Sequence, residues 1–100
     1  MKKLINDNYD SIVKRGLITP QTNAFDFVEK IKEETEELER ELIILKNVPM
    51  ARQENFDKIN EELSDVILTC LNMAKHFDID IEKEMLGKIN VNFNRAKNGK

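Results

Sequence analysis

Two short stretches of this 100-residue chain concentrate carboxylates: "EETEE", from Glu33 to Glu37, and "EELSD", from Glu61 to Asp65. Carboxylates at such density either face water or hold a cation, because neighbouring like charges on a helix cost roughly 0.2–0.5 kcal/mol per pair. Their direction decides between the two. At about 100° per residue, with Ile31 as zero, Glu34 lies about 60° and Glu37 about 120° to one side of the apolar stripe, while Glu33 and Glu36 fall nearer the far face. With Ile59 as zero, Glu62 and Asp65 take the same two angles on the same side. Each stretch therefore puts an i, i+3 acidic pair beside a buried seam.

If the two helices pack antiparallel, Glu34, Glu37, Glu62 and Asp65 converge at the seam's edge. Partly buried anions lose hydration and repel one another. A divalent cation removes both penalties, and an all-oxygen carboxylate set suits Mg²⁺, with Mn²⁺ as a substitute. A Glu-rich face alone is ordinarily solvated surface; the second, matching pair is what makes a metal site the expectation. Glu29, Glu36, Glu39 and Glu41 read as solvent-facing. Di-iron bundles need Glu-x-x-His pairs, and the single histidine, His76, follows Met73 at that spacing. His76 is expected to be exposed or to cap a helix end.

A second constellation lies near the C-terminus. In "GKINVNFNR", Lys88, Asn92 and Arg95 stand at i, i+4 and i+7, which stacks them on one helix face. A lysine, an amide and an arginine in a row can hold phosphate oxygens, arginine bidentately. The plainer alternative is that Lys and Arg near a helix C-terminus favour the macrodipole. The chain has no Gly-rich phosphate loop, so a triphosphate would be held by metal and side chains.

The elements that must position these groups are helices. Gly and Pro are scarce, at three and two residues, and strand-like alternation is absent. The pattern predicts a first helix from about Lys3 to Arg15 that ends at Gly16. A second, capped by Thr22 or Asn23, runs through Ala24, Val28, Ile31, Leu38, Leu42 and Leu45 to an interruption at "NVPMARQ". A third carries Phe56, Ile59, Leu63, Val66, Ile67, Cys70, Leu71, Ala74 and Phe77, with Cys70 expected in the core. A last helix, capped by Asp78 or Asp80, bears Met85, Leu86, Ile89 and Phe93. The fold class is all-α and residues 1–100 form a single domain. Stripes this broad, and "ELIIL" from Glu41, exceed what four helices of one chain can hide, so a homodimer or tetramer is expected.

A formal net charge of −3 suggests neither a nucleic-acid nor a membrane-surface partner. The one cysteine excludes an intramolecular disulfide, the N-terminus lacks the apolar run of a signal peptide, and no segment approaches the roughly 20 apolar residues of a membrane span. A cytoplasmic protein is the expectation.

On these residues the chain resembles the all-α, MazG-like nucleoside triphosphate pyrophosphohydrolases, a group related to dimeric dUTPases and phosphoribosyl-ATP pyrophosphohydrolase. The pattern E-E-x-x-E, then E-x-x-D, reads Glu33, Glu34, Glu37, then Glu62 and Asp65, with 24 residues between Glu37 and Glu62. Lys30, three before the first motif glutamate, and the later K-x-x-x-N-x-x-R at Lys88, Asn92 and Arg95 also match. The resemblance covers about Phe25 to Arg95. It implies a helical bundle whose helices are shared across a dimer around a four-helix core. It implies Mg²⁺ ligands at Glu34, Glu37, Glu62 and Asp65, and hydrolysis of a nucleoside triphosphate to the monophosphate and pyrophosphate. Glu33 would orient or deprotonate the attacking water, and Lys30, Lys88, Asn92 and Arg95 would position the phosphates. Tyr9, Phe25 and Phe27 are candidates for stacking on a base. The rival expectation is a non-enzymatic helical oligomerisation or adaptor module with solvated acidic faces.

Overall fold

The computed structural model describes residues 1–48 and 53–99, and among these all regular structure is helical. The helices are α1 (Lys2–Lys14), α2 (Ala24–Asn47), α3 (Gln53–His76) and α4 (Ile81–Lys97). Most of the interruption expected at "NVPMARQ", positions 49–52, lies outside the described residues.

Local chemistry explains the helix ends. Asn23 caps α2: its side chain accepts from the Asp26 N–H at 3.0 Å, and the Asp26 carboxylate accepts from the Asn23 N–H at 2.9 Å, a reciprocal capping box. Asp80 caps α4 through the Lys83 N–H. α1 closes with a Schellman pair, Gly16 N–H to the Val13 carbonyl and Leu17 N–H to the Ile12 carbonyl, around Gly16 at φ 74°. α3 closes with the same pair of bonds, Asp78 N–H to Lys75 and Ile79 N–H to Ala74, but the left-handed residue is Asp78 at φ 55°. An L side chain there is strained by roughly 1–2 kcal/mol. Asp78→Gly is expected to raise the melting temperature by several degrees, at about 4–8 °C per kcal/mol for a domain of this size, read by thermal denaturation.

α2 and α3 form an antiparallel pair, since Phe27 meets His76 and Phe77 at one end while Glu34 meets Asp65 and Glu62 further along. α1 lies against α3, where the Asn8 amide donates to the Asn72 carbonyl at 2.8 Å. The buried apolar core is small: Ile18, Phe27, Leu71 and Ala74. Beside it His76 ties three segments together. Its Nε2 lies 2.8 Å from the Thr22 carbonyl, which can only accept, so Nε2 carries the proton and Nδ1 accepts from the Tyr9 hydroxyl at 2.8 Å. His76 is thus a half-buried clasp between α1, the loop after it and α3, rather than an exposed or capping residue.

α4 stands apart. It buries no residue, packs closely on none of the other helices, and leaves Met85, Leu86, Ile89, Val91 and Phe93 exposed. Leu42, Ile43 and Ile44 on α2 and Leu63 and Ile67 on α3 are exposed as well. Cys70, expected in the core, is exposed, on the same helix as the exposed Leu63 and Ile67. No described helix is long and apolar enough to cross a membrane.

Candidate metal centre

The pairing of α2 with α3 brings the seam-flanking acids together. One carboxylate oxygen from each of Glu34, Glu62 and Asp65 lies within 4.8 Å of the others. Glu37, one turn after Glu34 and half-buried, lies outside that trio but near enough to Glu62 to help hold its proton. Glu34 is the most enclosed of the four, only 8% exposed. It is buried because it sits 60° rather than 180° from the stripe, so the hairpin closes over it.

No donor among the described residues reaches Glu34 Oε2 or Glu62 Oε2, and both atoms are shielded from solvent. A shielded carboxylate oxygen without a donor is unfavourable, and neighbouring negative charge adds to the penalty. Glu62 responds by holding its proton more tightly: loss of hydration raises its pKa first, then the hydrogen bond and charge of Glu37, then the charges of Asp65 and Glu34. Glu34 has partial relief at its other oxygen, where the Lys30 ammonium lies 3.1 Å from Oε1 and also 3.5 Å from Glu33. Lys30 is correspondingly held charged, with its pKa raised chiefly by the bond to Glu34.

These donors fit a hard divalent cation. All are carboxylate oxygens, two are orphaned and buried, and their 4.8 Å envelope is close to the ~4.2 Å that spans two opposite oxygens around Mg²⁺. The cluster contains neither histidine nor cysteine, which removes the ligands a zinc or copper site would favour.

A cleft of about 470 Å³ opens from the cluster between α1 and the α2–α3 seam. Glu33, Glu34, Asp65 and Lys30 line one part of it, and Arg15, at the end of α1, adds a second cation. Ile12, Ile18, Phe27 and Leu68 supply apolar wall, and Asn8 and Asn72 supply amides. Of the aromatics named from sequence, only Phe27 lines this cleft. Phe25 is 80% exposed on the first turn of α2, and Tyr9 is bonded to His76.

Lys88, Asn92 and Arg95 are not brought to this site within one chain; they lie exposed on α4, and none lines the cleft. Sequence reasoning did not single out Arg15, Asn8 or Asn72. The available signal was an amide inside an otherwise apolar run, "VILTCLNMA", where a solvated polar residue has no place. Compared with protein-family models, curated proteins and solved structures, the chain gives no match in any of the three.

Proposed function

We propose that this all-α protein is a Mg²⁺-dependent phosphoanhydride hydrolase and, more particularly, a MazG-like nucleoside triphosphate pyrophosphohydrolase that acts as a homodimer or a dimer of dimers. The observation that carries the reading is the pair of orphaned, buried carboxylate oxygens on Glu34 and Glu62 beside a nucleotide-sized cleft. Glu34, Glu37, Glu62 and Asp65 would hold the cation. When bound, it supplies positive charge to the phosphates and acidity to a water molecule.

The chain's own residues account for the rest. Glu33 lines the cleft and is largely exposed; with Lys30 3.5 Å from its Oε2, its other oxygen would accept a proton from a water entering there. Lys30, pinned between Glu33 and Glu34, neutralises phosphate oxygens at the cleft edge without needing to move far. Arg15 offers a bidentate donor from the α1 side. Hydrolysis between the α and β phosphates needs no covalent intermediate.

Self-association is supported by the uncovered apolar residues of α2, α3 and α4. A stable interface buries about 1,200–2,000 Å² in total, and a bare amphipathic α4 together with the exposed Leu42–Ile44 ridge of α2 is the kind of surface that supplies it. α4 carries Lys88, Arg95 and Lys97 with no acid after Glu84, whereas α2 is strongly acidic. A second copy would therefore set its basic helix against this chain's carboxylates. That arrangement delivers Lys88, Asn92 and Arg95 to the phosphates in trans.

The decisive experiment is pyrophosphate release from a panel of normal and modified nucleoside triphosphates, with and without Mg²⁺, beside thermal denaturation in the same buffers. Release that requires the metal, and a melting temperature raised by about 6–11 °C at tenfold excess over Kd, are expected; that rise corresponds to about 1.4 kcal/mol of linkage. No release from any nucleotide and no Mg²⁺-dependent stabilisation would leave the helical adaptor module as the better account.

A further inference from the structure

The polar lining of the cleft is mixed. Glu33, Glu34 and Asp65 line it with Lys30, Asp26 and Glu29 add two further carboxylates, and Asn8 and Asn72 join α1 to α3 through one amide–amide hydrogen bond of 2.8 Å. Asn72 is 7% exposed, and what it exposes lies along the cleft. Each primary amide has one carbonyl and one amino group. A single bond between two of them leaves one carbonyl and one amino group unused, whichever way each amide is turned. Among the described residues no other side chain or backbone group satisfies these leftovers. The pair, which lines the cleft, thus keeps one unused acceptor and one unused donor.

Such an edge is wrong for phosphate, which has only acceptors and would meet a carbonyl oxygen. It suits a planar heterocycle whose own edge pairs a donor with an acceptor, as every nucleobase does. The spacing agrees. Asp65 and Asn72 are seven residues apart on α3, about 10 Å at 1.5 Å per residue, comparable to the reach of one nucleoside from its first phosphate to its base edge. Between them Ile12, Ile18 and Leu68 give apolar surface for the sugar and ring faces. The one aromatic in the wall, Phe27, has its ring engaged with His76 and Phe77, so selection falls to hydrogen bonds at the base edge.

Granted the nucleotide reading above, on which this step rests, we propose that Asn8 and Asn72 are the specificity-determining pair that reads the hydrogen-bonding edge of the substrate's base. Binding of α,β-methylene analogues of the four deoxynucleoside triphosphates and of inorganic tripolyphosphate, each with Mg²⁺, would be measured by calorimetry on the parent, Asn8→Ala and Asn72→Asp proteins. In both variants the preferred analogue should bind about tenfold more weakly, the spread among the four bases should narrow, and tripolyphosphate should be unchanged. Tripolyphosphate weakening in parallel would show that the amides only brace the helices, and an unaltered order of bases would equally overturn the assignment. Should Asn72→Asp fail to fold, Asn8→Ala makes the same comparison, since Asn8 is only half-buried. A parent that binds tripolyphosphate as tightly as every analogue would refute base reading alone; one that binds neither would refute the pyrophosphohydrolase reading beneath it.

Discussion

Glu62→Gln is expected to abolish pyrophosphate release, by at least about a thousandfold in kcat/KM, while making the metal-free protein more stable at neutral pH. The two effects have one cause. Glu62 has its pKa raised above the ordinary 4.5 by lost hydration and by the neighbouring Glu37, Asp65 and Glu34. A carboxyl group with a raised folded pKa contributes its stability at low pH and loses it as pH rises through that folded value. Above it, the ionised Glu62 opposes folding. Glutamine carries no charge at any pH and offers its amino group to Glu37, so the opposition disappears.

Melting temperatures of parent and variant, each without metal, should therefore diverge as pH is raised from about 4.5 toward 7, with the variant higher. Added Mg²⁺ should reverse the order by stabilising only the parent. A solvated surface glutamate would show neither behaviour, since exposed charges contribute about 0–1 kcal/mol and do not respond to a divalent cation at a defined site. Equal melting curves for the two proteins at pH 7, with and without Mg²⁺, would remove the physical basis for a metal centre here.

The meeting of these acids was legible because helical geometry is local. Angles of 60° and 120° from a stripe follow from residue spacing alone, and the antiparallel approach of α2 to α3 then follows from a short connection. The caps at Asn23 and Asp80 and the left-handed Gly16 were legible for the same reason. Asp78 was one of two candidates for the α4 cap, yet it closes α3 instead, because both aspartates stand within three residues and local rules do not choose between them. What local rules could not give was partner identity. His76 looked peripheral because its partners, Tyr9 and Thr22, lie 67 and 54 residues away. The apolar stripe around Cys70 suggested burial, but periodicity does not say what, if anything, packs against it. The same gap separates Lys88, Asn92 and Arg95 from the carboxylates: their shared face was readable, whereas the destination of that face was not.

Complementation between two inactive proteins gives the destination of α4 a sharp test. One variant carries Glu34→Gln, which removes the most buried carboxylate; the other carries Lys88→Ala with Arg95→Ala, which removes the cations of α4. If each site combines the carboxylates of one copy with the α4 of its partner, a mixed dimer contains one site with both defects and one with neither. Random re-pairing makes half the dimers mixed, so unfolding and refolding the two proteins together should restore roughly a quarter of the parent activity, from almost none in either alone. If α4 served the carboxylates of its own chain, every site in the mixture would keep one defect and no activity would return. The in-trans result is the expected one on physical grounds. Within one chain α4 buries nothing and leaves five large apolar side chains in water, at roughly 25 cal/mol for each Å² that a partner could cover. The basic face rides on the helix with the most uncovered apolar surface, so the force that would assemble a dimer is also the force that would complete the site.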